Sequence, residues 1–121
     1  MGWSGYMKCH VVNETGWPIT QVYAAHTWNS ITHDGNSPEL MPGDSFPFDF
    51  QCGAGGNDEW SVRFIDHNGS CWHRNEKQCN VEEGDYESKD PVYINLLPSE
   101  QGFSIEMPHS SSCNDNRYDR C

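Results

Sequence analysis

An all-β fold, an antiparallel two-sheet β-sandwich of about eight or nine short disulfide-stabilised strands, is predicted by three features of this sequence. Phe46, Phe48, Phe50 and Cys52 recur at a spacing of two, and Trp60, Val62 and Phe64 do so again after the Gly-rich break CGAGGND. Side chains alternate faces along a strand, so each run lays one apolar row against a core and turns Asp, Gln, Ser or Arg to the other side. Turn-forming Gly, Pro and Asn recur every 8–12 residues or so, as short strands require. No long stretch keeps the 3.6-residue period of an amphipathic helix.

Taken in order, Lys8 to Asn13 reads as a short strand ended by the turn Glu14-Thr15-Gly16. Pro18 to Trp28 follows, with Ile19, Gln21, Tyr23 and Ala25 on one face and Thr20, Val22, Ala24 and His26 on the other. The stretch NSITHDGNSP reads as a polar loop, and Glu39 to Met41 as a brief strand before the turn Pro42-Gly43-Asp44. The two aromatic strands come next and, joined by CGAGGND, read as neighbouring antiparallel strands over a shared core. Asp66-His67-Asn68-Gly69 is a strong hairpin turn, because Asn-Gly tolerates positive φ angles. Ser70 to Asn75 then forms a strand to which Lys77 to Val81 pairs back, and EEGDYESKDP is a charged loop. Val92 to Leu96 and Phe103 to Met107 make a last hairpin around PSEQG. One domain is expected over residues 1–121, with its core in 8–107 and a polar, irregular, Cys-containing tail in 108–121.

The formal net charge is −11, with only Lys8, Arg63, Arg74, Lys77, Lys89, Arg117 and Arg120 basic. Nucleic acid as a partner is thereby excluded, since its binding needs a positive surface that releases counterions. Adsorption to anionic lipid is disfavoured for the same reason. No run approaches the roughly 20 apolar residues of a membrane-spanning helix. The opening MGWSGYMKCHVV has no apolar core of the signal-peptide kind.

Six cysteines, Cys9, Cys52, Cys71, Cys79, Cys113 and Cys121, suggest a disulfide framework. Pairs Cys71 with Cys79 and Cys113 with Cys121 would each close a short loop, leaving Cys9 with Cys52. The sequons Asn13-Glu14-Thr15 and Asn68-Gly69-Ser70 fall at predicted turns and agree with an oxidising, secretory history. A secreted protein is the expectation, with a cytosolic one the alternative.

Catalytic patterns are absent. The six histidines form no HExxH or HxxEH pattern, and the cysteines form no CxxC pairs of a zinc site. Ser110-Ser111-Ser112 lacks the strand-to-helix turn that presents a nucleophile. No pair of carboxylates stands out for glycoside hydrolysis. The expectation is a protein that is not an enzyme. No cofactor is expected, although Asp34, Asp58, Glu82, Glu83, Asp85 and Asp90 in loops offer oxygen ligands to calcium.

Binding chemistry has better candidates. Among the five tryptophans, Trp60 falls in phase with core residues, whereas Trp17 sits in a turn and Trp28 ends a strand. An exposed indole suits either a sugar ring or a lipid headgroup at an interface. The candidate ligand-binding set is Trp17, Tyr23, His26, Trp28, His33 and Trp72, centred on the turn at Trp17 and the loop from Trp28 to Asn36.

The runs NETGWPITQVYAAHTW, ELMPGDSF, GGNDEWSVRF, KQCNV and YINLL resemble the small domain family called "up-regulated in Daf-2", over roughly residues 9–107. Its marks here are Asn13, Thr15 and Gly16, the triplet His26-Thr27-Trp28, Pro42-Gly43, the Asp58-x-Trp60-x-Val62-x-Phe64 core and Cys79. That resemblance implies a secreted or cytosolic β-sandwich. The segment PGDSFPFDFQCGAGG is similar, more loosely, to the aegerolysins, small acidic all-β proteins that recognise sphingolipids and can join a partner in pore formation. This chain differs in carrying six cysteines and a Cys-bounded tail. The resemblance implies a defence protein that binds a specific membrane lipid headgroup, with a second copy or a partner protein as co-actor. A lectin-like carbohydrate-binding module is the first alternative, and a small secreted hydrolase or metal-binding protein the second.

Overall fold

The computed structural model describes residues 2–121. Ten strands form two five-stranded sheets packed face to face, with one short helix. The strands are β1 (Ser4–Asn13), β2 (Ile19–Trp28), β3 (Ile31–Leu40), β4 (Ser45–Gly53), β5 (Glu59–Ile65), β6 (Cys71–Gln78), β7 (Val92–Leu96), β8 (Phe103–Glu106), β9 (Cys113–Asp115) and β10 (Asp119–Arg120); the helix is α1 (Glu83–Ser88). One sheet runs β4-β1-β7-β8-β9, the other β10-β6-β5-β2-β3. The predicted sandwich is present, and all its pairings are antiparallel except β1 with β7, which run parallel from Cys9↔Val92 to Asn13↔Leu96.

The core sits between the sheets. β1 contributes Met7, Cys9 and Val11, β4 contributes Phe48, Phe50 and Cys52, and β5 contributes Trp60, Val62 and Phe64, all buried. The two aromatic runs therefore face the core as the alternation required, but from opposite sheets rather than as neighbours. Trp60 is fully buried and donates its indole N–H to the Cys79 carbonyl at 2.8 Å. In β2 the alternation changes phase. Ile19 is buried, Gln21 takes φ 49° at a register shift between Thr20 and Tyr23, and Val22, Ala24, His26 and Trp28 then face inward. A bulge inserts one residue and so inverts the pattern beyond it.

Several expected loops are ordered elements. NSITHDGNSP is a two-residue turn, Asn29 (φ 52°) and Ser30 (φ 62°), followed by most of β3, which also takes in Glu39 and Leu40 of the expected brief strand and leaves Met41 to the next turn. Positive φ at both central residues matches the right-handed twist of the flanking strands. At Asp66–Gly69 only Gly69 is left-handed, at φ 81°. The turn is held by the Asp66 side chain, which accepts from the Asn68 and Ser70 amides. Lys77 and Gln78 continue β6 instead of pairing back, and part of EEGDYESKDP forms α1.

The tail is not irregular. β9 extends the first sheet beside β8, and β10 extends the second beside β6. Arg74 on β6 bonds Asp115 at 2.6 Å and Asp119 at 3.2 Å, and these carboxylates hold its guanidinium above the usual value. Tail and body are also joined covalently. Cys71 pairs with Cys121 and Cys79 with Cys113, so both short-loop pairings expected from spacing are replaced by bridges from β6 and its flank to the tail.

Cys9 and Cys52 are buried and unbridged. Cys9 lies opposite Phe48 and Cys52 opposite Gly5 on the β1–β4 ladder. The four-residue offset separates them by roughly 13 Å, well beyond disulfide reach. Burial raises both thiols, that of Cys52 to about 12, so neither is a reactive thiolate. Titration of the denatured, unreduced chain with a thiol reagent is expected to find two free groups. A count of zero or six would contradict this pairing.

Candidate functional site

The turns divide between two ends of the sandwich. β2, ten residues long, spans roughly 30 Å, with Trp17 before its start and Trp28 at its finish. The expected site joining Trp17 to the Trp28–Asn36 segment is therefore not assembled, because its two halves lie at opposite ends.

Trp28 is 8% exposed and donates its indole N–H to the Gly55 carbonyl at 2.9 Å. Its ring packs on Gly53, where an added Cβ would fall 2.7 Å from the indole. It closes the core. His26, fully buried, is held between Phe50 and Trp60, with Nε2 2.6 Å from Asp58 Oδ1. A His–Asp pair suggests catalysis, but this ring is sealed from solvent and locks the core instead. His33 stands opposite His26, half-buried at the sheet edge, with Tyr6 edge-on at 5.6 Å. Tyr23 faces outward in mid-strand and donates its hydroxyl to Asp34 at 3.2 Å. Partial burial, then the charge of Asp34, raises its hydroxyl above the usual value. These four residues do not converge.

Trp17 and Trp72 do share an end. Trp17 is 55% exposed. Its turn is rigid: the Thr15 hydroxyl accepts from the Trp17 amide at 3.2 Å and donates to Asn13 Oδ1 at 2.7 Å. Buried Asn13 donates its side-chain amide to the Trp17 carbonyl at 2.7 Å and to the Leu40 carbonyl at 2.8 Å. One amide thus fixes the Trp17 turn beside the β3–β4 turn, which carries exposed Met41 and Pro42. Because Asn13 is consumed in this way, its sequon is structural. Only Asn68 stands exposed for a glycan.

The indole of Trp17 stacks on His67, with centroids 4.4 Å apart and planes 14° apart. Beneath the pair opens a cleft of about 290 Å³ lined by Thr15, Phe64, Asp66, Asn68, Pro98 and Glu100 among others. Trp72 stands behind it, donating its indole N–H to Asp66 Oδ2 at 2.8 Å, with the Arg120 guanidinium 5.0 Å from its ring. Burial alone would raise the Asp66 carboxyl. Hydrogen bonds from Trp72, Ser70 and Asn68, with His67 adjacent, outweigh that and hold it below the usual carboxylate value. The cleft is thus an aromatic platform above a fixed negative charge. His67, Met41 and Pro98–Glu100 were not singled out by sequence reasoning. Their signal is topological, since each lies in a turn at the end where Trp17 emerges.

Among the described residues no group of three or more His, Cys, Asp or Glu side chains is placed to hold a metal ion. Of the six loop carboxylates considered for calcium, Asp58 and Asp85 are buried and engaged by His26, Val81, Glu82, His109 and Ser110. No helix among the described residues is long and apolar enough to cross a membrane.

No protein-family model matches the chain, and no curated protein matches it. Among solved structures, the NMR structure of a protein from Eubacterium rectale is similar, with a TM-score of 0.52 at 15% identity over 88% of this chain and 91% of that one. A likeness at that identity shows a shared fold and nothing of activity.

Proposed function

We propose that the chain is a non-catalytic recognition module that engages a neutral, cation-bearing lipid headgroup at a membrane surface through the end carrying Trp17. One observation carries the reading: an indole more than half exposed, stacked on His67 and braced by Asn13, beside a second turn bearing Met41 and Pro42. Tryptophan is favoured where an apolar ring meets a wet interface. The Asp66 and Glu100 carboxylates near the ring suit a quaternary or primary ammonium, which the indole face also attracts. Net charge −11 works against anionic lipid. The two disulfides support a secreted protein working in an oxidising compartment, and the aegerolysin resemblance is consistent with the same use.

Pelleting with vesicles of defined composition tests it. Phosphatidylcholine vesicles are expected to carry the protein down, and phosphatidylserine vesicles to do so poorly. Trp17→Ala should weaken pelleting by roughly 1–3 kcal/mol, as loss of an interface anchor does. Its thermal midpoint should hardly move, because the ring lies outside the core. Wild-type pelleting by Trp17→Ala would overturn the assignment.

A further inference from the structure

The outer face of sheet β4-β1-β7-β8-β9 has an unusual composition. β1 turns Met7, Cys9, Val11 and Asn13 inward, so Tyr6, Lys8, His10 and Val12 face out. The parallel pairing places Tyr93 of β7 directly beside His10, and their rings stack with centroids 5.6 Å apart and planes 24° apart. Tyr6, four residues back along β1, is 62% exposed, and Tyr93 is 37% exposed. Two ring platforms thus lie roughly 13 Å apart along one strand direction. The solvated face of an antiparallel-type sheet is normally polar, and rings left on it in a row mark a binding surface.

These rings border a row of neighbouring depressions. One of about 450 Å³ lies among Tyr6, Lys8, His10, Asp49, Lys89 and Pro91. A second, about 250 Å³, shares Asp90 and Pro91 with the first and reaches Tyr93 and Glu106. A third, about 410 Å³, continues past Tyr93 to Asn95, Ser104 and Val12. The His10–Tyr93 stack stands between the first and the other two, and the row they form is longer than one sugar ring. Polar groups are held in place along it: Lys8 Nζ lies 3.0 Å from Asp49 Oδ1, and the Asn95 amide donates to the Ser104 hydroxyl at 3.1 Å.

Flat rings with fixed donors and acceptors at their margins suit a pyranose, whose faces are apolar and whose hydroxyls lie at its edge. Two lysines confront Asp49, Asp90 and Glu106, so a polyanion gains nothing there. We propose that this face binds a neutral, linear oligo- or polysaccharide, with one sugar stacked on the His10–Tyr93 platform and another against Tyr6. The third depression ends at Glu14 and Leu97, next in the chain to Thr15 and Pro98 of the Trp17 cleft, but no residue lines both, and the inference does not depend on the lipid reading.

The test uses the full, disulfide-intact chain in native affinity electrophoresis. Gels contain laminarin, galactomannan or xylan as neutral probes and polygalacturonate as an acidic one; binding to insoluble chitin and cellulose is measured alongside. Binding to at least one neutral polymer and none to polygalacturonate is expected. Tyr93→Ala and Tyr6→Ala should each weaken that binding about tenfold or more, the loss of an anchoring ring. Tyr93→Phe should keep it, and Trp17→Ala should leave it unchanged. Both tyrosines are exposed, so an unchanged thermal midpoint separates lost binding from lost folding. The proposal is overturned if no neutral polymer binds, or if Trp17→Ala abolishes the binding while both tyrosine variants retain it. Dimerisation that Tyr93→Ala removes, with no polymer bound, would overturn it in favour of contact between copies.

Discussion

Replacing Asp85 by alanine is expected to lower the unfolding free energy by about 3–5 kcal/mol, because it strips a buried carboxylate from several donors at once. Asp85 is fully buried. Oδ1 accepts from the amides of His109 at 2.8 Å and Ser110 at 2.7 Å, while Oδ2 accepts from the Ser110 hydroxyl at 2.6 Å and the Glu82 amide at 2.9 Å. One side chain therefore closes the first turn of α1 and moors the tail to it. Urea denaturation measures the loss, and a change under 1 kcal/mol, within the range of an ordinary surface substitution, would contradict the role.

Acidity should act on the same group. Burial alone would raise the Asp85 carboxyl, but hydrogen bonds from Ser110, Glu82 and His109 outweigh it and hold it below the usual carboxylate value. A carboxyl depressed in the folded state contributes its stability in full above the unfolded value, near pH 4, and loses it as pH falls through the folded value. Asp85→Asn should accordingly flatten the fall in stability below pH 4, relative to the wild type. An unchanged acid limb would assign that fall to other carboxylates.

Asp58→Ala is expected to cost about 3–5 kcal/mol, the scale for removing one member of a buried polar pair. Asp58 Oδ1 holds His26 Nε2 at 2.6 Å and Oδ2 accepts from the Val81 amide at 2.9 Å. His26 Nδ1 is already buried without a partner. Losing Asp58 would leave the ring, wedged between Phe50 and Trp60, with neither nitrogen satisfied. Asp58→Asn keeps an acceptor and should lose less. Combining Asp58→Ala with His26→Phe should recover part of the loss, since an apolar ring tolerates the site. Additive losses would mean that the two residues act independently.

The aromatic strands were legible because their inward faces are large and apolar, and the final hairpin because PSEQG separates two such rows. β3 was hidden for a packing reason. Its inward positions include His33, Gly35 and Ser37, and a Cβ at Gly35 would meet that of Phe48 at 2.8 Å. Where the two sheets close on each other at Gly35 there is no room for a side chain, and its inward neighbours His33 and Ser37 are polar, so no hydrophobic alternation survives. α1 is six residues long and is held by Asp85 and its cap rather than by an apolar stripe. The bridges were misread because short spacing favours local loops, whereas the tail lies along β8 and β6 and brings Cys113 and Cys121 to distant partners. At the candidate site, Trp17 was recognisable by its turn. Its stacking partner His67 comes from another hairpin, and no local pattern could join the two.

The parallel pairing of β1 with β7 also sets an order of events. β1 lies between β4 and β7, so neither flank is satisfied by a strand next to it in the chain. Cys9 must wait for Phe48 on one side and Val92 on the other. Loop closure over such separations is slow, and proteins dominated by non-local pairing fold in milliseconds to seconds. Throughout that interval an early strand carrying Met7, Cys9 and Val11 has two unpaired edges, the template on which other chains can add. Yield on refolding should therefore fall steeply with protein concentration, through capture of β1 before its second neighbour arrives.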